Sequence, residues 1–318
     1  MVLFIIICIV IAIFSFNKLT CKWCSSKVCL VGKTAIITGG NSGIGYQVAL
    51  SLASRGCRII IADKDDASGS RDKIISQSNN QNVIVKKLDL ASLDSVRSFA
   101  KNIVETEPQI NILINNAGIG TIALNYTADG LQKTMQVNYF GHFLLTYLLV
   151  DLMKKSAPSR IIFTSSIAAF LTRVDPENLN PLPSYSQNQQ VYPNSKLCLM
   201  IAAKVFAKKL KGTGVTVNSL HPGGARSGIF SKAFKEERSL YPLIAGLLTL
   251  PFGKNTEEAA QTTIHLACDQ KVVADTGSFF MECRKFVQPY QTYNIDLCNR
   301  VFENTKALVK LEPSECVI

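Results

Sequence analysis

Apolar and polar positions along this chain fall into blocks of two alternating lengths. Short runs rich in β-branched residues occur at Lys33–Thr38, Arg58–Ala62, Val83–Leu88, Asn111–Asn115, Arg160–Ser165 and Val215–Leu220. Runs of this length and composition predict buried strands. Between them lie longer stretches with helical apolar spacing, at Tyr46–Ser54, Leu93–Val104, Asp129–Lys155 and Tyr192–Leu210. Strand and helix alternating in this way predict an α/β fold, a single doubly wound parallel sheet with helices on both faces.

One block does not fit that scheme. Met1 to Phe16 contain no charge and almost no polar group. A helix crossing a bilayer takes about twenty apolar residues, with about seventeen as the lower limit. Asn17 through Trp23 must then supply the remainder at an interface. A cleaved secretory signal is the rival reading, but it wants a positive leading region and a small-x-small cleavage site. Neither is present, so the segment reads as a retained anchor. Residues 1–17 are expected to be a transmembrane signal anchor, 18–30 a basic cysteine-containing linker, and 31–318 one folded domain. Lys18, Lys22, Lys27 and Lys33 all follow the apolar run. The positive-inside rule then predicts a single-pass membrane protein with its domain in the cytosol, the endoplasmic reticulum being the expected membrane. The same lysines suit anionic lipid headgroups. The sequon Asn125-Tyr126-Thr127 tests this orientation, since a cytosolic Asn125 carries no glycan.

Composition changes the picture little. Of 318 residues 47% are hydrophobic and 18% charged, which fits a packed core and excludes wholesale disorder. A net charge of +11 implies an acidic partner: membrane lipid, nucleotide phosphate or nucleic acid. No zinc-finger or RNA-binding aromatic pattern is present, so no nucleic-acid partner is expected. Ten cysteines are scattered at spacings unlike a disulfide framework, which fits a reducing compartment. Cys21-x-x-Cys24 lacks a second ligand pair at a useful spacing. Acylation of these juxtamembrane thiols is the other reading. Cys316 stands third from the end, so the prenylation pattern is not met. His142, His221 and His265 are too far apart to suggest a metal, and none is expected to hold one.

The first predicted strand runs into Gly39-Gly40-Asn41-Ser42-Gly43-Ile44-Gly45, directly before a helical pattern. Strand, glycine turn and helix together make a Rossmann-type dinucleotide site. Glycines let the backbone approach a pyrophosphate closely, and the first-turn N–H groups of the helix face the anion. The second strand ends at Asp63. A carboxylate there accepts both ribose hydroxyls and repels a 2′-phosphate, which favours NAD(H). Lys64, next to it, argues the other way, and Asp63 weighs more by its strand-end position. The cofactor expected is NAD(P)(H), with NAD(H) mildly favoured.

Tyr192-Pro-Asn-Ser-Lys196 places a phenol and an ammonium on one helical face. The ammonium should lower the phenol's pKa. The ordered set of Thr38-Gly39-x-x-x-Gly43-x-Gly45, Asn115-Asn116-Ala117-Gly118, Asn138, Ser165-Ser166, Tyr192-x-x-x-Lys196 and Pro222-Gly223 resembles the short-chain dehydrogenase/reductase family, over roughly residues 31 to 289. The resemblance implies a catalytic set of Asn138, Ser166, Tyr192 and Lys196. Tyr192 would be general acid in reduction and general base in oxidation. Lys196 would lower its pKa and bind the nicotinamide ribose. Ser166 would hydrogen-bond the reacting oxygen, and Asn138 would hold a water linking Lys196 to solvent. Gly39, Asn41, Ser42, Gly43, Ile44, Gly45, Asp63, Lys64, Asp89, Leu90, Asn115, Ala117, Gly118, Tyr192, Lys196, Pro222, Gly223 and Ser227 would line the cofactor, with Ser227 at its carboxamide.

Val137-Asn-Tyr-Phe-Gly-His-Phe-Leu-Leu-Thr146, His221-Pro-Gly223 and the ending Gly277–Cys283 with its following helix pattern resemble the retinol dehydrogenase-like branch. Members of that branch using the phosphorylated cofactor commonly carry cysteine-arginine where Asp63-Lys64 stands. Pro193 is also a departure. Proline suits a first helical turn, so a helix starting at or just before Tyr192 is predicted. A surface loop is expected over residues 171–191, a substrate lid at about 225–253, and a C-terminal helix at about 290–310. The apolar Leu240–Phe252 reads as a lipid-facing mouth for an apolar alcohol or carbonyl, as an ordinary lid on the core, or as a homodimer surface. Three functions compete: retinol/retinal oxidoreductase, oxidoreductase of another lipid (steroid, polyprenol or fatty aldehyde), and catalytically silent scaffold. The intact Ser166, Tyr192, Lys196 and Asn138 speak against the last.

Overall fold

A computed structural model of the chain describes residues 21–120, 125–181, 185–223 and 254–315. The strands are β1 (Thr34–Thr38), β2 (Arg58–Asp63), β3 (Val83–Lys87), β4 (Ile112–Asn115), β5 (Ser159–Thr164), β6 (Val215–His221), β7 (Phe279–Met281) and β8 (Arg284–Phe286). They form one sheet in the order β3-β2-β1-β4-β5-β6-β7-β8. Every pairing is parallel except the last, β7 with β8. The expected parallel sheet is therefore present with an antiparallel edge strand added. All three residues of β8 are exposed, so no apolar pattern announces it. The turn before it places Glu282 and Cys283 at φ of 52° and 55°, the left-handed geometry of a two-residue hairpin.

Alternate strand residues feed two cores, as a pleated sheet buried on both faces requires. Ile36 and Ile60 face α3 (Leu93–Thr106), α4 (Gly141–Lys155), α5 (Tyr185–Lys209) and α7 (Ile295–Leu308). Ile37, Ile59 and Ile61 face α1 (Gly43–Ala53) and α6 (Thr256–Cys268). A polar helix, α2 (Ser68–Ser78), joins β2 to β3 and buries only Ile74. The strand order reverses between β1 and β4, and a crevice opens there at the carboxyl ends of the strands.

Three sequence expectations need correction. The helix predicted over Asp129–Lys155 begins at Lys133 and is interrupted by a π-helical turn, Gln136–Phe140, before α4. Pro193 lies inside α5, which starts seven residues before Tyr192. A proline removes one N–H and crowds the preceding turn, which kinks a helix without ending it where packing holds both sides. Here Val191 and Ser195 are both buried. The 171–191 insertion is consequently not all loop. Its last part is helical, and its middle is fixed by Arg300 to Glu177 (2.7 Å) and by the Val174 N–H to Gln291 Oε1 (2.8 Å). The C-terminal helix falls at Ile295–Leu308, after a 3-10 turn at Tyr290–Tyr293.

The anchor at 1–17 and the lid at 225–253, Ser227 included, lie outside the described residues. Among the described residues no helix is long and apolar enough to cross a membrane. Their two flanks meet on one side chain. Glu282 takes the Lys254 ammonium on Oε1 and the Lys22 backbone N–H on Oε2 (3.3 Å). Gly223 lies against the same lysine, since a Cβ there would meet Lys254 Cδ at 2.8 Å.

Candidate active site

The glycine turn between β1 and α1 is a close-packed piece of backbone. Gly39 and Gly43 hold φ of 68° and 59°, where side chains are strained. A Cβ on Gly45 would stand 2.2 Å from the Gly39 carbonyl oxygen, whereas one on Gly43 would meet nothing within 4 Å. The turn is thus packed tightly inward and open outward. Ser42 is the N-cap of α1 and makes no side-chain cap bond, so its hydroxyl does not occupy the first-turn N–H groups. This arrangement fits a pyrophosphate. Asn41 ties the turn to the start of α2, with its Nδ2 donating to the Asp66 carbonyl (3.1 Å) and Ser70 Oγ donating to its Oδ1 (2.7 Å). Asp63 ends β2 half-buried and accepts the Asp65 N–H (3.1 Å), while Lys64 is exposed. Asp89 and Leu90 follow β3. Asp89 Oδ1 accepts the Ala91 N–H (2.9 Å), and Leu90 lies against Gly141, where a Cβ would meet its carbonyl oxygen at 2.8 Å.

The second wall is the end of β4. Asn115 is buried and donates to Thr146 Oγ1 (2.9 Å). The Thr38 hydroxyl accepts the N–H groups of Asn116 (2.9 Å) and Ala117 (3.0 Å), which fastens this segment to the glycine turn. Gly118 follows, and a Cβ there would sit 3.4 Å from both Asn138 Oδ1 and Lys196 Nζ. A side chain there would rest directly against both of these groups.

The structure brings the four predicted catalytic residues together. Ser166, after β5, hydrogen-bonds Tyr192 and accepts the Ala168 N–H (3.2 Å). Lys196 lies one turn on from Tyr192, its Nζ 5.6 Å from the tyrosine ring centre and donating to the Thr164 carbonyl (3.0 Å). Asn138 sits in the π-helical turn. Its Oδ1 accepts the Ile119 N–H (2.8 Å), and its Nδ2 donates to the Ile119 carbonyl (3.0 Å) and to Ser195 Oγ (3.1 Å). Ser165 Oγ donates to the Lys196 carbonyl (2.6 Å), pinning α5 to β5. Pro222 and Gly223, with Gly223 at φ 92°, close the far side after β6.

One electrostatic expectation is reversed. Burial raises the Tyr192 pKa above its ordinary value, and the Ser166 hydrogen bond only partly offsets this. Lys196 is fully enclosed, and burial lowers its own pKa to about 8. Desolvation disfavours both charged forms here, because the ammonium is turned toward the Thr164 carbonyl. Tyr192 therefore stands as a phenol, a proton donor, at neutral pH.

Two supporting residues were not predicted to take part. Ser195 links Asn138 to α5, accepting from Asn138 and donating to the Tyr192 carbonyl (2.7 Å). Its position just before Lys196 was the available signal. His142 joins the two halves of the site: Nδ1 lies 2.9 Å from the Asn138 carbonyl and Nε2 lies 2.9 Å from Thr38 Oγ1. A carbonyl only accepts, so Nδ1 carries the proton and Nε2 accepts from the Thr38 hydroxyl. Burial lowers the His142 pKa to about 4, which keeps this neutral tautomer. His142→Phe keeps ring bulk but removes the partner at the Asn138 carbonyl and leaves the Thr38 hydroxyl only the longer bond to the Ile114 carbonyl (3.4 Å). Leaving a buried polar group unsatisfied costs about 1–3 kcal/mol. Denaturant unfolding should show a loss in that range or above it, with nucleotide affinity falling as well.

Comparison with known proteins agrees with this geometry. Residues 33–238 match the family model described as short chain dehydrogenase. The chain is 39% identical to human retinol dehydrogenase 12, over 82% of this chain and 81% of that protein. It is 38% identical to human retinol dehydrogenase 13, over 91% and 88%. Among solved structures it resembles the NADP active-site complex of Pseudomonas aeruginosa RhlG, with a TM-score of 0.62 and 27% identity, over 79% of this chain and 95% of that one. The chain belongs to the short-chain dehydrogenase family. Within it the similarity falls to retinol dehydrogenases, and the protein is an NAD(P)-dependent oxidoreductase.

Proposed function

We propose that this protein interconverts retinol, or a closely similar apolar alcohol, with its aldehyde at a membrane surface. The convergence of Ser166, half-buried Tyr192 and buried Lys196 carries the catalytic part of this reading. The retinol dehydrogenase relatives support the substrate class. A bound nicotinamide nucleotide supplies or accepts the hydride. Ser166 and Tyr192 direct hydroxyls at one oxygen, and in reduction Tyr192 gives that oxygen its proton. Lys196 stabilises the phenolate left behind. The glycine turn from Gly39 to Gly45 holds the pyrophosphate, and Asn115, Ala117, Gly118, Pro222 and Gly223 border the nicotinamide end. Residues 1–17 form the anchor, with the domain in the cytosol. Ser227 borders the cofactor's carboxamide, and the 225–253 lid belongs to the substrate side.

Asp63 favours NAD(H). The full chain in membranes should turn over retinaldehyde with NADH and retinol with NAD. Like charges placed together cost several kcal/mol, and each 1.4 kcal/mol is about tenfold. Asp63→Ser should therefore improve kcat/KM for NADPH by at least about tenfold and weaken NADH use. Wild-type turnover with NADPH alone would assign the 2′-phosphate to Lys64 and remove Asp63 from that role. Nucleotide binding without retinoid turnover would move the substrate to another lipid alcohol.

A further inference from the structure

The linker that follows the apolar segment is bound along one stripe of α6. The Cys24 backbone N–H donates to Gln261 Oε1 (3.1 Å), and Ser26 Oγ donates to the Cys268 carbonyl (3.5 Å). Gln261, His265 and Cys268 lie at positions that share a helical face. Along this stripe a thiol from one end of the chain meets three ligand-bearing side chains from the other. The Cys24 sulfur, a ring nitrogen of His265 and a carboxylate oxygen of Asp269 lie within 4.8 Å of one another. Cys268, one helical turn on from His265, stands beside this group, its thiol donating to the Ile264 carbonyl (3.1 Å). His265, Cys268 and Asp269 are buried and Cys24 is half-buried.

We propose that Cys24, His265, Cys268 and Asp269 form a binding site for a thiophilic divalent cation, zinc being the member that this sulfur, nitrogen and oxygen set suits best. Zinc takes four such ligands tetrahedrally at about 2.0–2.3 Å, which sets neighbouring ligand atoms about 3.3–3.7 Å apart. The three converging atoms lie within 4.8 Å of one another, with His265 Nδ1 and Asp269 Oδ2 at 2.9 Å, so this pair parts by a few tenths of an ångström to take the ion. Oxygen-seeking cations such as calcium and magnesium would not choose two sulfurs and an imidazole. The surroundings are arranged for negative charge. Arg55 Nη1 donates to the Ser26 carbonyl (2.6 Å), and Arg160 Nη1 donates to the carbonyls of Leu266 (2.8 Å) and Asp269 (3.0 Å), placing two guanidinium groups beside the thiols and carboxylate. Asp269 Oδ1 is itself held by the Lys271 N–H (3.0 Å), which orients the carboxylate.

Sequence spacing hid the site because its two parts come from opposite ends of the chain. Cys21-x-x-Cys24 offers no second pair nearby. The complement is His265-x-x-Cys268-Asp269, the last turn of α6 and its C-cap. Metal binding here is a clasp. It releases protons from the thiols on binding, changes no oxidation state, and fastens the tethering linker to the domain well away from Tyr192.

Cobalt(II) is the probe, added to the full chain in detergent under a non-chelating reductant. One equivalent per chain should bind with a thiolate-to-metal charge-transfer band and tetrahedral visible bands, and one equivalent of zinc(II) should bleach both. Cys24→Ser and His265→Asn should lose the bands while keeping nucleotide binding, which shows that they fold. Cys21→Ser should keep them. Absence of stoichiometric thiolate ligation in the wild type, or its survival in both Cys24→Ser and His265→Asn, would overturn the proposal. So would a Cys24–Cys268 disulfide in protein whose thiols were trapped at lysis.

Discussion

Tyr192→Phe should lower kcat for retinaldehyde reduction by about 10²–10⁴, the range supplied by a positioned general acid. The substitution removes one hydroxyl and keeps the ring that Lys196 lies beside. Among the described residues its hydroxyl is partnered by Ser166, which retains the Ala168 N–H. Losing that bond should cost about 0.5–1.5 kcal/mol of stability, too little to unfold the protein. Nucleotide affinity should stay within about twofold, because the glycine turn is untouched. A fall in kcat and kcat/KM together, with cofactor KM unchanged, is the signature of an interaction made at the transition state. The raised Tyr192 pKa fixes the pH behaviour. Reduction needs the phenol and should persist through neutral pH, whereas oxidation needs the phenolate and should rise as pH increases. Full activity in Tyr192→Phe would remove Tyr192 from the chemistry and leave the fold without an identified proton donor.

Gly45→Ala should have the larger effect on the folded state. The new methyl carbon would lie 2.2 Å from the Gly39 carbonyl oxygen and 2.7 Å from Asn116 Nδ2. The first is backbone, held in turn by the Gly39 N–H to the Ala62 carbonyl (2.8 Å), and cannot rotate away. Overpacking costs about 1–3 kcal/mol where side chains can yield, so roughly 3 kcal/mol or more is expected here. For a chain of 318 residues that is a fall in Tm of about 4–5 °C or more. The same displacement opens the turn, so nucleotide binding should be lost even below the unfolding temperature. Gly43→Ala separates the two effects. Its Cβ meets nothing, but φ is 59°, so it should be strained and milder. Equal melting of Gly45→Ala and wild type would show that the turn is looser than its packing implies.

The strands of the central sheet were legible because burial on both faces demands continuous apolar, β-branched runs, as in Ile59-Ile60-Ile61. The same logic fails where burial is slight. Helix α2 buries only Ile74 and β8 buries nothing, so neither leaves a periodic trace. The π turn around Asn138 is invisible because its residues are buried all round and carry no period of their own. Pro193 misled for a different reason: proline marks a first turn by preference, and packing around Val191 and Ser195 overrides it. Among site residues, those at strand ends and in Tyr192-x-x-x-Lys196 were readable from local spacing. His142 was not, since its partners Thr38 and Asn138 are brought to it by the fold. The sign of the Tyr192 shift depended on how deeply it and Lys196 are enclosed, which no spacing encodes.

The meeting of Lys22 and Lys254 on Glu282 has a mechanical consequence. Lys22 lies five residues beyond Asn17, where the proposed anchor ends. Five extended residues span about 17 Å at most. With the apolar segment in a bilayer, the Glu282 corner cannot rise further than this leash from the headgroups. Gly223 and Lys254 share that corner, so the proposed anchor would hold the carboxyl ends of the strands near the lipid surface, with β3 at the opposite sheet edge. An apolar alcohol leaving the bilayer would then meet the crevice after a path shorter than the domain's own width, without a free passage through water.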